Sequence, residues 1–179
     1  MAKRPILILP DPRLRAVADP IEKIDDEIKT LAKDMLETMY DAPGIGLAAP
    51  QVGVGKRLFV YDLDPDTRDH PQILVNPRIV ESDGEWTYEE GCLSIPGLSF
   101  EIVRPKVVHL VGHALDGNEV SVEADELAAR LFQHELDHLD GVLMTERMDP
   151  DTKKRALVEI RALKDCLEGD TRRAAGFFS

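Results

Sequence analysis

The feature that most constrains this chain is the pentapeptide HELDH, which begins at His134 within a stretch of helical periodicity. In a helix, His134 and His138 lie one turn apart, so both imidazoles can reach one metal ion, with Glu135 close by. The same helical stripe carries Leu127 and Leu131, which predicts that it turns towards the core. Because two unpartnered imidazoles would be costly to bury, the pattern favours a buried metal site.

Two histidines are too few for a catalytic metal site, which usually has three protein ligands and one open position. One class of zinc proteases extends the motif to HExxHxxGxxH. Gly141 fits that pattern, but Met144 stands where the last histidine belongs. A downstream acid such as Glu159 would complete a metallopeptidase site, whereas Cys92 would supply a thiolate, a strong ligand for divalent transition metals. Residue types alone leave both possibilities open.

The order of the predicted elements indicates an α+β fold. Apolar residues recur at helical spacing over three stretches: 25–40, 123–140 and 152–167. Between the first two, β-prone runs predict strands at 57–63, 72–77, 85–90 and 107–115. Asp83-Gly84 and Asp116-Gly117 are typical of antiparallel hairpin turns. Because strands and helices do not alternate strictly, we expect antiparallel strands and hairpins packed around a central helix that carries HExxH, with an N-terminal and a C-terminal helix.

Composition indicates how many domains the chain forms, in which compartment it works and which partners it excludes. With 43% of its residues hydrophobic, the chain has enough apolar material for one core, so we expect a single domain over residues 1–179. Two cysteines are typical of reduced thiols in the cytoplasm, and no apolar run approaches the roughly 18 residues of a membrane span, so we expect no membrane partner. The net charge of −12 argues against DNA binding, although residues 151–179 carry seven basic and five acidic side chains.

Three segments together resemble the signature motifs of the peptide deformylase family. They are GIGLAAPQ at 44–51, EGCLS at 90–94 and QHELDH at 133–138. Their order and approximate spacing match as well, and the resemblance covers almost the whole chain. It implies that Cys92, His134 and His138 bind a metal ion and that Glu135 is the catalytic base. It also implies Fe²⁺ as the native ion, with Zn²⁺, Ni²⁺ or Co²⁺ able to substitute, whereas the ligand types alone would suggest zinc.

The resemblance also assigns residues to the substrate. It implies that the Gln51 side-chain amide and the Leu93 backbone N–H donate to the formyl oxygen as negative charge develops there. In the family, the glycine-rich loop and the EGCLS segment hold the peptide through backbone hydrogen bonds. The positions that this assigns here are Ile45, Gly46 and Gly91. The helical stripe adds Leu127 and Leu131 as walls of a pocket for the methionine side chain, with ordinary core packing as the alternative for each.

The segment GIGLAA also matches G-x-G-x-x-G/A, the fingerprint of dinucleotide-binding sites. Such a site needs a strand before the motif and a helix after it. Here the motif follows a predicted helix and is closed by Pro50 and further glycines. The sequence therefore predicts a loop over residues 44–55 that lets the backbone approach a peptide.

The function that the resemblance implies is metal-dependent removal of the formyl group from the N-terminal formyl-methionine of nascent polypeptides, with release of formate. The expected partners are N-formylmethionyl nascent peptides and, through the basic C-terminal helix, the ribosome. The alternative is a metallopeptidase of the HExxH type with an acidic third ligand, for which Glu159 is the candidate. A further alternative is a binding module in which the metal is purely structural.

Overall fold

A computed structural model describes residues 2–175, with the side chains described up to residue 167. This part of the chain contains three α-helices and seven β-strands, which confirms the predicted α+β class. The helices are α1 (Asp26–Asp41), α2 (Glu126–Leu139) and α3 (Pro150–Ala175). The strands are β1 (Gly46–Ala48), β2 (Leu58–Tyr61), β3 (Gln72–Asp83), β4 (Trp86–Cys92), β5 (Ile95–Arg104), β6 (Val107–His113) and β7 (Glu119–Asp125). Among the described residues, no helix combines the length and apolarity needed to cross a bilayer.

The strands form two antiparallel sheets. One has five strands in the order β1-β2-β3-β6-β7, and the other consists of β4 and β5. The hairpin predicted at Asp116-Gly117 is confirmed, because β6 and β7 pair on either side of it and Gly117 adopts a positive φ of 89°. The hairpin predicted at Asp83-Gly84 was wrong. Asp83 pairs with Val107 of β6, and the turn leads the chain from one sheet into the other.

β2 divides the core of the five-stranded sheet. Phe59 packs in a cluster with Phe132 and Leu136 of α2, whereas its neighbours Leu58 and Val60 pack in a cluster with α1. Successive side chains of a strand point to opposite faces. α1 and α2 therefore cover opposite faces of the sheet, and the helix with the HExxH motif lies at the centre of the fold, as predicted.

The predicted helices are present, with differences at their ends. α1 begins after Asp25, whose carboxylate accepts a hydrogen bond from the Ile28 backbone N–H at 3.0 Å. α3 continues beyond the predicted range to Ala175 and packs Ala156 and Ile160 in a cluster with residues of β5. The side chains beyond residue 167, which include part of the basic segment, lie outside the described residues.

Three strands were missed by the sequence analysis. The predicted glycine-rich loop contains β1, a three-residue strand whose pairing with β2 holds it extended. β5 contains Pro96 and Gly97, which interrupt the β-prone pattern. β7 ends where the sequence predicted the start of a helix. Asp125 pairs with Val107 of β6, and this ladder overrides the local helical pattern.

Candidate metal centre

The inward face of α2 presents both histidines of the motif. His134, His138 and Leu131 are buried, as the helical stripe predicts. Leu127, in the first turn of the helix, is 40% exposed and borders a cavity. The stripe therefore runs from the cavity edge at Leu127 into the interior at His138.

Cys92, the last residue of β4, meets the two histidines. Its Sγ lies 3.3 Å from His138 Nε2, which lies 3.2 Å from His134 Nε2. Single ligand atoms from these three residues all lie within 4.8 Å of one another. In the part of the chain whose side chains are described, this is the group that could hold a metal ion. Glu159, the acidic alternative, is exposed on α3 and does not belong to it.

The chemistry of these atoms fits a divalent transition-metal ion. His134 Nδ1 lies 2.6 Å from Glu90 Oε1, so when the ring is neutral its Nδ1–H donates to the carboxylate and the Nε2 lone pair faces His138 and Cys92. Burial alone would raise the pKa of the Cys92 thiol, but charge on His138 and His134 lowers that pKa well below its usual range. Positive charge at this place therefore stabilises a thiolate. One sulfur and two imidazole nitrogens form a donor set that suits zinc, iron or nickel.

A buried ionic network supports the histidine side of the site. Glu90 accepts hydrogen bonds from His134, from Arg104 at 2.7 and 2.8 Å, and from Arg130 at 2.8 Å. Burial alone would raise the pKa of Glu90, but the bonds from His134 and Arg104 lower it overall. Arg104 also donates to Asp137 at 2.8 Å. The sequence alone indicates no role for these supporting residues, although Glu90 lies within EGCLS and Asp137 within HELDH.

Glu135 places a carboxylate against β1. Its side chain is buried, and Oε2 has no hydrogen-bond partner. Burial raises the pKa of Glu135 to about 7, against the opposing charges of His134 and His138. Any side chain on Gly46 would overlap Glu135 Oε1, so glycine at this position makes the approach of the carboxylate possible.

Gln51 is held with a defined amide orientation beside Cys92. Its Oε1 accepts a hydrogen bond from the Ala48 backbone N–H at 2.8 Å. Its Nε2 donates to Ser94 Oγ at 3.2 Å and lies 3.6 Å from Cys92 Sγ. The amide NH₂ group therefore faces the same space as the Cys92 sulfur.

A cavity of about 700 Å³ opens over these groups. Every residue that the family resemblance and the helical stripe assign to the site lines this cavity except His138, which lies against Cys92. The glycine-rich segment and β4 both contribute to its walls. The arrangement brings three residues that could hold a metal ion, a buried carboxylate and an oriented amide together in a space that can hold a peptide end.

Comparison with known proteins gives a consistent result. Residues 3–154 match the family model described as polypeptide deformylase. A peptide deformylase of Acidothermus cellulolyticus is 48% identical over 161 residues, which cover 90% of this chain and 87% of that protein. One of Rhizobium meliloti is 51% identical over 148 residues, which cover 82% and 85% of the two chains. The crystal structure of a peptide deformylase from Legionella pneumophila matches with a TM-score of 0.88 at 41% identity and covers 93% of this chain and 98% of that one. The chain belongs to the polypeptide deformylase family.

Proposed function

We propose that this protein is a metal-dependent amidohydrolase that removes the formyl group from the N-terminal formyl-methionine of nascent polypeptides. The observation that carries the proposal is the convergence of Cys92 Sγ and two histidine Nε2 atoms beside the buried carboxylate of Glu135. Family membership supports the same reaction. The proposal treats residues 1–179 as one catalytic domain that acts in the cytoplasm, where nascent chains emerge.

Cys92, His134 and His138 would hold one divalent ion, for which we propose Fe²⁺, with Zn²⁺, Ni²⁺ or Co²⁺ as substitutes. When bound, such an ion lowers the pKa of water and polarises a carbonyl. A divalent ion held by one thiolate and two neutral imidazoles would keep a net positive charge. Glu90 keeps His134 in the tautomer that a metal ligand requires, since its carboxylate accepts the Nδ1 proton.

Glu135 would act as the general base. Its unpartnered Oε2 can accept a proton from the water that attacks the formyl carbon. Glu135 would then return that proton to the amide nitrogen as the C–N bond breaks. The products are formate and a peptide with a free amino terminus.

Gln51 and Leu93 would stabilise the negative charge that develops on the formyl oxygen. Because Gln51 Oε1 is committed to the Ala48 N–H, the amide can turn only its NH₂ group towards the cavity. The Leu93 backbone N–H would be the second donor. Donors that are fixed in advance stabilise the transition state more than the substrate.

The peptide would lie between two strand edges. Within the described chain, β1 is an edge strand of the five-stranded sheet and β4 pairs with β5 alone. Ile45 and Gly46 on one side and Gly91 on the other would bind the substrate backbone, which allows many sequences after the first residue. Leu127 and Leu131 would contact the methionine side chain, and both border the cavity.

The proposal is tested on protein purified without oxygen, by incubating it with a formyl-methionyl peptide and measuring formate, free amine and bound metal in one sample. We expect formate and free amine in equal amounts and no cleavage within the peptide. Cleavage of internal peptide bonds without formate release would overturn the proposal in favour of the metallopeptidase alternative.

The identity of the ion can be tested by its behaviour in air. We expect the Fe²⁺ form to lose activity in aerated buffer and the Ni²⁺ form to retain it, because ferrous iron reacts with oxygen and exposes its thiolate ligand to oxidation, whereas Ni²⁺ does not react in this way. The measurement is the half-life of deformylation for each form at the same temperature. Equal half-lives would contradict the oxidation argument.

Gly46→Ala is expected to lower kcat/KM on the order of 100-fold, because the added methyl group must displace the Glu135 carboxylate. The amount of bound metal should stay near the wild-type level, because Gly46 does not belong to the group of residues that could hold the ion. Gly55→Ala is the matched control, because a methyl group there meets no atom within 4 Å. Similar kinetics for the two variants would show that Glu135 does not need the space at Gly46.

A ribosome contact through α3 is part of the proposal. Lys154 and Arg161 are exposed on this helix. Reversing both charges to glutamate should reduce co-sedimentation with ribosomes at low salt while leaving turnover of a short formyl peptide unchanged. Unchanged co-sedimentation would remove α3 as the contact.

A further inference from the structure

Arg130 is a buried cation that borders the substrate cavity and that the mechanism does not use. It lies on α2 one turn before His134 and is 3% exposed. Burying a guanidinium is costly unless its charge and N–H groups are matched. Two of the three guanidinium nitrogens of Arg130 have partners, whereas Nε has none. The partners of those two nitrogens therefore indicate what the residue does.

Those partners lie along one face of β4. Arg130 Nη2 donates to the backbone carbonyl oxygen of Trp86 at 2.6 Å, and Nη1 donates to Glu90 Oε2 at 2.8 Å. Its guanidinium carbon lies 5.2 Å from the Trp86 ring centroid and 5.8 Å from that of Tyr88. Trp86, Tyr88 and Glu90 alternate along the strand and so share one face. One side chain thus ties this stretch of β4 to α2.

The contact with Glu90 reaches the metal centre in one further step. Arg104 binds both oxygens of Glu90, whereas Arg130 binds Oε2 alone and His134 binds Oε1 alone. Arg130 and His134 therefore hold opposite oxygens of the same carboxylate. Without Arg130, Oε2 would keep only its bond from Arg104, so the carboxylate could tilt and the His134 ring would follow it.

We propose that Arg130 is a positioning residue that couples Trp86 and the cavity wall at Tyr88 to the metal-binding His134 through Glu90. Tyr88 and Arg130 both line the cavity. A substrate side chain bound there would therefore contact residues that Arg130 connects to the metal site. This inference rests on the proposed function, since it assumes that His134 binds a metal ion. Arg130 would thus influence the geometry of the metal site although it is not itself a ligand.

The test compares Zn²⁺ affinity, measured by competition with a chelator, in wild type, Arg130→Met and Arg147→Met. Arg147 is the matched control, because it also pairs with a buried carboxylate of the network, Asp137, at 2.6 Å. Outer hydrogen-bond partners of metal ligands typically contribute about 10- to 100-fold to metal affinity. We expect Arg130→Met to lose affinity in this range and Arg147→Met to stay within about threefold of wild type.

A spectroscopic measurement separates positioning from a general loss of stability. In Co²⁺-loaded protein, the visible absorption bands report the ligand geometry and should shift in Arg130→Met but not in Arg147→Met. If Arg130→Met does not fold, Arg130→Lys and Arg147→Lys give the same comparison, because an ammonium group cannot reproduce the two-pronged contact.

Equal Zn²⁺ affinities and equal Co²⁺ spectra for the two variants would overturn the inference about Arg130. Wild-type protein that binds no Zn²⁺ would instead overturn the proposed metal centre. The two failures are therefore distinguishable.

Discussion

Cys92→Ala is expected to abolish both metal retention and deformylation. Cys92 contributes the one sulfur to the three-residue group that could hold a metal ion, and it is the one member of that group outside α2. Structural zinc sites with four ligands contribute about 10–16 kcal/mol, so one ligand accounts for roughly 3 kcal/mol, or about two orders of magnitude in affinity. The two histidines that remain would bind a metal ion so weakly that the ion would be lost during purification. The measurement is metal content per chain together with formate release.

Cys166→Ala is the matched control, because Cys166 is exposed on α3 and takes no part in the ligand group. It should keep wild-type metal content and activity. If Cys92→Ala also kept both, an acidic residue would have to complete the site. The metallopeptidase alternative would then be the better explanation.

The sequence could predict the site to the extent that it depends on local periodicity and motif. Helical spacing alone predicted that His134 and His138 share one inward face. Both residues do lie within α2 and are buried. The third ligand could not be obtained that way, since residue type left Cys92 and Glu159 open. The family resemblance selected Cys92, and the end of β4 does bring its sulfur to the two imidazoles.

The parts that the sequence could not predict depend on contacts between distant segments. The length of β1 is three residues, and only its pairing with β2 makes it a strand. Residues 123–125 follow β6 into the sheet despite a helical local pattern. Glu90 becomes a partner of His134 only because the fold brings β4 against α2 at these two residues. No spacing within either segment encodes that contact.

Glu135→Gln is expected to lower kcat about 100- to 10,000-fold while leaving the metal content unchanged, because general bases typically contribute this much to catalysis. Glutamine has the shape of glutamate, so the fit against Gly46 is preserved and only the ability to accept the proton is lost. Glu126→Gln, an exposed change at the start of the same helix, should keep wild-type kcat. The decisive measurement is single-turnover formate release at equal metal loading. A Glu135→Gln enzyme that retains more than about a tenth of wild-type kcat would show that another group takes the proton, since loss of a general base removes much more.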